Sequence, residues 1–215
     1  MAITVEDKIA IKRDNDLKIK EQGYKVNDWL PILDSSQMRD IKQIKGRMSV
    51  MNALINIAFD APIYIIKDWI AAQKLNNFLS ATEQELLQKD NYELEEQELN
   101  SLSWYAEGLW ALMWLTEMCD KLVAEEYVSD HAASLLPNLE QGESNRKIDN
   151  LKSIRNEREL YTMLDYYYRL HWYCVDGRLN SYEVKLNEGI VYERRKALEW
   201  AFNRSNDWDN VEMST

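Results

Sequence analysis

The segment SLSWYAEGLWALMWLT, residues 101–116, constrains the fold of this chain more than any other part of the sequence. Wound as a helix, it carries three tryptophans, a tyrosine and four leucines around its circumference, and its one charged residue is Glu107. A helix that is hydrophobic on all sides belongs at the centre of a protein. We therefore predict a central, buried helix from about Glu95 to Met118.

The scarcity of turn-forming residues indicates that the rest of the chain is helical as well. Six glycines and three prolines in 215 residues leave few sites for the many turns of an all-β protein. We predict an all-α fold, a single irregular helical domain of about seven to nine helices. Within it, residues 1–34 are expected to form an N-terminal helix and connector, and residues 35–215 the main helical domain.

Capping patterns indicate where the first four helices begin. Thr4 and Asp7 have capping-box spacing at the start of a helix from Val5 to about Gln22, and Gly23 closes it. Because this helix is largely polar, we expect it to pack loosely. The other three starts are assigned to Ser35 or Ser36, to Asp60 ahead of Pro62, and to Ser80 with Glu83 three residues on.

The net charge of −11 argues against binding to nucleic acid or to anionic membranes. Both depend on Lys and Arg side chains that neutralise phosphates, so a basic protein is the better partner for this chain. The start of the chain lacks the basic and apolar regions of a secretory signal, and no apolar run approaches the ~20 residues that span a bilayer. We expect a cytoplasmic location.

The acidity is concentrated in EQELLQKDNYELEEQEL, residues 83–99, where seven carboxylates face one cation, Lys89. One interpretation is a solvated helical surface, since charge runs commonly serve solubility. The other is a docking patch for a cationic protein, whose association would weaken with salt. The candidate partner-binding residues are Glu83, Glu85, Glu93, Glu95, Glu96 and Glu98.

Sequence motifs for catalysis or metal binding are missing from this chain. It has no P-loop, GxGxxG turn, GxSxG elbow or HExxH helix, so no cofactor and no catalytic residue is expected. Cys119 and Cys174 lie far apart and are expected to be free thiols. Asp207, Asp209 and Glu212 offer oxygen ligands, but too few for a calcium loop, and no metal site is predicted.

Two further segments place charges among apolar residues. In the expected helix from about Glu157 to Val175, Asp165 and Arg169 are four residues apart and therefore adjacent on its surface. The last helix, about Ile190 to Phe202, carries Glu193, Arg194 and Arg195 among apolar residues. A buried carboxylate needs a guanidinium or several hydrogen-bond donors. These charges are therefore expected to pair with each other.

Several blocks carry a family resemblance. WYAEGLWALMWL, LDYYYRLHWYCVDGRL, VYERRKALEW and the terminal DWDNVEMST, with KGRMSVMNALI before them, resemble the recurring blocks of the bacterial domain-of-unknown-function family 4272. The resemblance covers roughly residues 35–215. It implies no activity, because none is assigned to that family. It marks as signature positions Arg47, Glu107, Asp165, Arg169, His171, Trp172, Glu193, Arg194 and Trp208.

The marked residues allow two interpretations. In the first, Glu107 and Glu193 form one buried polar network with Arg169, Arg194 and Arg47, which fixes how the helices are aligned. In the second, the same region is a pocket. Arg169 and Arg194 then bind an anion, His171 transfers protons, and Trp172 and Tyr168 form an apolar wall.

Three functions are consistent with these patterns. The chain is expected to be a non-enzymatic, acidic protein-binding module, of the immunity type that neutralises a bacterial toxin. The alternative is an enzyme or small-anion sensor with a pocket formed by Arg169, His171, Arg194 and Glu107. The third is a scaffold or oligomer without a ligand. The acidic run and the lack of catalytic motifs favour the first.

Overall fold

The computed structural model describes residues 3–34 and 36–215, and over these residues the chain forms nine α-helices, two short 3-10 helices and no strand. The predicted single all-α domain is confirmed. The α-helices are α1 (Val5–Glu21), α2 (Ile41–Ala58), α3 (Ile63–Ala72), α4 (Ala81–Leu86), α5 (Glu96–Leu115), α6 (Ala132–Leu135), α7 (Arg146–Asp149), α8 (Glu157–Asn180) and α9 (Glu188–Phe202). The 3-10 helices are Asn76–Phe78 and Asn91–Glu93.

The long helices pack in the order α3–α2–α5–α9–α8–α1. Helix α5 lies between α2 and α9, as expected for a segment that is apolar on every side. Its residues Leu112, Met113 and Leu115 are completely buried. It ends at Leu115, three residues before the predicted end, since Glu117 adopts a positive φ of 61° that a helix does not continue through.

Helix α2 contributes to two hydrophobic clusters. Met48 and Met51 contact the larger cluster, which includes residues of α1, α5, α8 and α9. Val50 and Leu54 contact a smaller cluster with the buried residues of α3 and α4. Val50 is one position from Met51 and two from Met48, and residues at these spacings point to different sides of a helix. Helix α2 therefore separates the two cores and buries most of its surface.

The predicted helix starts are right in two of four cases. Capping boxes form at Thr4 with Asp7 and at Ser80 with Glu83. Helix α2, however, begins after Asp40, whose side chain forms a box with Gln43, and Ser36 lies outside the helix. Ser35, the other expected cap of α2, lies outside the described residues.

The start of α3 also differs from the prediction. Asp60 adopts a positive φ of 67° in the turn that ends α2, so it is not positioned to cap the next helix. Pro62 occupies the N-cap position and has no capping side chain. Instead, Oδ1 of Asn91, on a neighbouring 3-10 helix, accepts the N–H of Ile63 at 2.9 Å. A tertiary contact thus supplies the capping hydrogen bond that Pro62 cannot provide.

Helix α1 packs more firmly than its polar sequence suggests. Lys8, Ile11, Asn15 and Ile19 are buried on one side of it, at the spacing of three and four residues that marks a helix face. This face lies against α8. The expectation of loose packing is wrong because three of the buried residues of α1, Lys8, Asn15 and Asp16, are polar. Their contacts are not visible in a hydrophobicity pattern.

Helix α8 extends five residues beyond its predicted end. Gly177 lies within it, and the side chains of Tyr182 and Val184 pack so closely on this position that a Cβ atom would lie 2.1 Å from Cγ2 of Val184. The helix ends at Asn180, where Ser181 adopts a left-handed conformation. Among the described residues, no helix is both long and apolar enough to cross a membrane.

Candidate functional site

Glu107 is buried in the middle of α5 and pairs with Arg194 of α9. Nε and Nη2 of Arg194 donate to Oε2 of Glu107 at 2.9 and 2.6 Å. Oε1 of Glu107 accepts the backbone N–H of Val128 at 2.9 Å. Both side chains are less than 5 % exposed. The carboxylate therefore joins two core helices to the segment that follows α5.

The remaining donors of Arg194 bind the same segment. Its Nη2 donates to the carbonyl oxygen of Glu126 at 2.8 Å, and its Nη1 donates to the carbonyl oxygen of Val123 and to the hydroxyl of Tyr167. Every nitrogen of this guanidinium is thus occupied by protein oxygen atoms. Arg194 fixes residues 123–128 on the core and has no donor left for an anionic ligand.

Arg169 of α8 forms a second, separate cluster. Its Nε and Nη2 donate to the two oxygens of Asp165, each at 2.8 Å, as expected for residues four apart on a helix. Its Nη1 donates to Asp16 of α1 at 3.2 Å. Nδ2 of Asn15 also donates to Asp165, at 2.8 Å. This cluster attaches α1 to α8.

Arg47 of α2 forms a third cluster with Glu83 of α4. The pair is bidentate, with Nη1 donating to Oε2 of Glu83 at 2.9 Å and Nη2 to Oε1. The hydroxyl of Tyr105 donates to the same carboxylate at 2.9 Å, and the indole of Trp208 donates to that hydroxyl at 3.2 Å. The guanidinium lies over the Trp208 ring, 4.2 Å from its centroid. The C-terminal segment is thereby anchored on α2 and α5.

His171 belongs to a fourth group, with Arg195. Its Nδ1 lies 2.6 Å from Nη1 of Arg195, which also donates to the carbonyl oxygen of Met213 at 3.1 Å. Nη2 of Arg195 donates to the carbonyl oxygen of Ser214 at 2.8 Å. Burial, together with the positive charge of Arg195, lowers the pKa of His171 to about 4. The imidazole is therefore neutral at pH 7 and accepts a hydrogen bond through Nδ1.

Glu193 and Trp172 lie outside these four groups. Oε2 of Glu193 is buried and has no hydrogen-bond partner among the described residues. Burial raises the pKa of Glu193 to about 7. Trp172 is half-buried, and its ring faces Nζ of Lys25 at 5.6 Å. Neither residue joins Glu107 and Arg169 in a common site.

The structure therefore separates residues that the sequence analysis combines. Arg47, Arg169 and Arg194 each bind a different carboxylate, Glu83, Asp165 and Glu107 respectively. The single network expected from the sequence is divided into independent clusters. The polar groups of Arg169, His171, Arg194 and Glu107 bind separate parts of the protein.

The glutamates of the acidic segment, residues 83–99, lie at the surface with one exception, Glu83. Glu83 is 2 % exposed and is bound to Arg47, so it is not part of that surface. Its position in the capping box of α4 turns its side chain inward, where the guanidinium neutralises it. We define the acidic surface by its exposed members Glu85, Glu93, Glu95 and Glu96, with the partly exposed Glu98.

A groove of about 210 Å³ runs through the acidic surface. Glu95 and Glu98 line it, together with the apolar side chains of Leu86 and Leu102. Glu98 accepts the N–H of Glu95 at 3.0 Å and the ammonium of Lys89 at 2.6 Å. Tyr92, in the same segment, is 85 % exposed. The surface therefore combines unpaired carboxylates with an exposed aromatic ring and an apolar groove.

The C-terminal acids serve separate roles. Oδ2 of Asp209 accepts the N–H of Thr82 at 3.0 Å, in the first turn of α4. Oδ1 of Asp207 accepts the N–H of Asp209, and Glu212 binds the hydroxyl of Ser214. No group of three or more metal-ligating side chains occurs within residues 3–34 and 36–215. Asp209 thus adds a second attachment of the C-terminal segment beside Trp208.

The two cysteines are free. Burial raises the pKa of Cys174 to about 12 and that of Cys119 to about 11. Both are therefore thiols at neutral pH and poor nucleophiles.

Comparison with known proteins gives one match. The family model for the domain of unknown function DUF4272 matches residues 11–211, which is nearly the whole chain. The chain belongs to this family. No curated protein and no solved structure matches it. In this DUF4272 protein the match begins inside α1, earlier than the resemblance around residue 35 suggests.

Several residues that complete the clusters are missing from the sequence analysis. They are Asn15, Asp16, Tyr105 and Tyr167. A signal existed for Asn15, since it follows Ile11 and precedes Ile19 at four-residue intervals on the apolar side of α1. For Tyr105 and Tyr167 no comparable signal exists, because a tyrosine in an apolar helix has the same pattern whether or not its hydroxyl has a partner.

Proposed function

We propose that this DUF4272 protein is a non-enzymatic module that binds a basic protein through its acidic surface. We further propose that the partner is a toxin acting in the cytoplasm, which this protein neutralises as immunity proteins do. The observation that carries the proposal is the exposure of Glu85, Glu93, Glu95 and Glu96 in a segment that also holds the exposed Tyr92 and contributes to an apolar groove.

Electrostatics supports a basic partner. The chain has a net charge of −11, and Lys89, the only cation between residues 83 and 99, is bound to Glu98. The unpaired carboxylates produce a negative field that accelerates association with a cationic protein. Because exposed charges are screened over roughly 8 Å at physiological salt, the association rate should fall as salt is added.

Short-range contacts supply the second requirement of a stable interface. Charged rims contribute mainly to the rate and selectivity of association, whereas buried aromatic anchors contribute most of the affinity. Tyr92 and the groove floor at Leu86 and Leu102 provide such an anchor and a receiving site. The proposal therefore assigns the affinity to Tyr92 and the groove, and the steering to the surrounding carboxylates.

Glu85 and Glu96 are the best positions for a test. Both are exposed, and within the described residues neither carboxylate has a hydrogen-bond or ion-pair partner. Glu93 and Glu98 are less suitable, since they accept the N–H groups of Asp90 and Glu95. The test variant is Glu85→Lys/Glu96→Lys. The matched control is Asp14→Lys/Glu21→Lys, which changes the net charge equally on the exposed side of α1.

The experiment is affinity capture of the tagged protein and both variants from the native host, with salt-gradient elution and mass spectrometry. We expect the wild type and the control to retain one basic protein that salt releases, and the Glu85→Lys/Glu96→Lys variant to lose it. Expression of that protein alone should arrest growth, and co-expression of the wild type should restore it. Equal capture by the test variant would refute the proposed binding surface. A captured protein that is not toxic would refute the proposed neutralisation of a toxin.

A further inference from the structure

A second cavity, distinct from the acidic groove, lies beside the C-terminal segment. It has a volume of about 360 Å³ and is formed by residues 31–34 and 36, by residues of α8 and α9, and by residues of the segment 203–214. Tyr168, Arg195 and Phe202 are its most deeply buried lining residues, each 5 % exposed or less. We call this space the C-terminal cavity.

Three polar groups of the C-terminal cavity lack partners. The hydroxyl of Tyr168 and the carboxylate of Glu199 line the cavity and have no hydrogen bond to any described residue, and of their oxygens Oε2 of Glu199 is fully buried. Nε of Arg195 is also buried without a partner. Buried polar groups in proteins are nearly always hydrogen-bonded. The carboxylate of Glu199 therefore leaves a place in the cavity for a hydrogen-bond donor.

Arg195 is part of the cavity wall, and three of its five N–H groups are already occupied. Its two terminal nitrogens already bind His171 and the carbonyl oxygens of Met213 and Ser214. Its guanidinium also lies 4.8 Å from the ring centroid of Tyr168. Of the two N–H groups that remain, that of Nε is buried and the other belongs to Nη2, which already binds Ser214. The other polar side chains that line the cavity are three carboxylates, the amides of Asn203 and Asn206, and three hydroxyls.

The charges of the cavity favour a positive guest. Glu199 lines its inner part, while Asp34 and Glu212 line its exposed rim, against the single positive charge of Arg195. Lys8 lies close enough to Asp34 to offset part of that carboxylate. Glu199 and Glu212 still outnumber Arg195. An ammonium or guanidinium group would donate hydrogen bonds to the unpartnered oxygens and restore neutrality.

We propose that the C-terminal cavity binds a small organic cation that carries one ammonium or guanidinium group. The cation donates to Glu199 and to the hydroxyl of Tyr168, and its apolar stem contacts Phe202 and Leu33. The cavity volume lies near the lower end of the range for small-molecule sites, roughly 300–1,000 Å³, so a compact molecule fits. This site is independent of the acidic surface and of the proposed partner.

Calorimetric titration with n-butylammonium and n-butylguanidinium tests the proposal, with n-butanol and butyrate as neutral and anionic controls at equal ionic strength. We expect saturable binding of a cationic probe alone, with amide chemical-shift changes confined to residues around Glu199 and Asn203. Glu199→Gln, which keeps the shape of the side chain, should weaken binding at least tenfold, and Tyr168→Phe several-fold. Glu85→Gln, on the acidic surface, should leave binding unchanged.

The proposal is overturned if neither cation binds saturably, or if both bind equally well to the Glu199→Gln and Glu85→Gln variants. Binding of a lysine-containing peptide without binding of either free cation would also overturn it, because the cavity would then receive a side chain of a partner protein. Should Glu199→Gln fail to fold, Tyr168→Phe alone decides, since it removes only one oxygen atom. Loss of partner capture by Glu85→Lys/Glu96→Lys has no bearing on these outcomes.

Discussion

Nη2 of Arg194 lies 2.6 Å from Oε2 of Glu107, and the other oxygen of this carboxylate holds the backbone N–H of Val128. A charge inside an apolar helix is thus used to align α5 with α9 and to attach the segment after α5. Removing one partner of a buried pair leaves the other charge without compensation. The pair therefore determines the geometry of the core more than it adds stability.

Glu107→Gln should destabilise the protein strongly. It leaves Arg194 buried without a counter-charge, which costs about 3–5 kcal/mol in comparable pairs. Urea unfolding measures this loss, and hydrogen exchange at the Val128 amide should become faster. Glu96→Gln, an exposed change on the same helix, serves as the control and should shift stability by no more than about 0.5 kcal/mol. Equal stability of the two variants would contradict the role assigned to Glu107.

Asp165→Asn should release α1 from the rest of the protein. Asp165 receives both Arg169 of α8 and Asn15 of α1, so the change weakens the joint between these helices. Hydrogen exchange of the α1 amides should accelerate before that of α5. Asp14→Asn, which changes an exposed carboxylate on α1, should have no such effect. Uniform acceleration across the whole protein would instead indicate a global loss of stability.

Glu193 should make stability decrease as pH rises. Burial raises the pKa of Glu193 to about 7 against an ordinary value of 4.5. Between these values the folded state binds more protons than the unfolded state, so the free energy of unfolding falls with increasing pH. Glu193→Gln should remove this decline, which amounts to roughly 3 kcal/mol at most.

The measurement is urea unfolding of wild type and Glu193→Gln at several pH values from about 5 to 8. His171 has the opposite effect, because its lowered pKa of about 4 makes stability rise with pH up to the ordinary value of 6.5. This contribution is common to both proteins and cancels in their difference. A difference that does not change with pH would show that Glu193 is not buried as a protonated acid.

Trp208→Ala should detach the C-terminal segment. The Trp208 ring contacts the guanidinium of Arg47 and, edge to face, the rings of Tyr105 and Trp200. Loss of a buried tryptophan costs about 3–5 kcal/mol. Thermal unfolding and limited proteolysis near the C-terminus measure the effect. Trp29, which is 93 % exposed, is the control, and Trp29→Ala should leave both measurements unchanged.

The sequence predicts the class of fold and the burial of the charges but not their partners. The apolar surroundings of Glu107 indicate that it is central, and the four-residue spacing of Asp165 and Arg169 indicates their pairing. Glu107 and Arg194, by contrast, lie 87 positions apart, and only the packing of α5 on α9 brings them together. Several arginines in the sequence were equally plausible partners.

The acidic run shows a second limit of sequence patterns. A capping box predicts where α4 begins, and this prediction is right. It does not predict that the side chain of Glu83 also reaches Arg47 of α2, because the position of α2 depends on the tertiary fold. Charge density alone therefore groups a structural carboxylate with the exposed ones beside it.

The most direct test compares stability and partner capture in two neighbouring variants, Glu83→Gln and Glu85→Lys/Glu96→Lys. Thermal unfolding and capture from the native host are measured on the same preparations. The account predicts that Glu83→Gln loses stability but, at a temperature where it is folded, still retains the basic protein. It predicts the reverse for Glu85→Lys/Glu96→Lys, which should remain stable and lose capture. A Glu85→Lys/Glu96→Lys variant that still captures the partner would contradict the proposed binding surface.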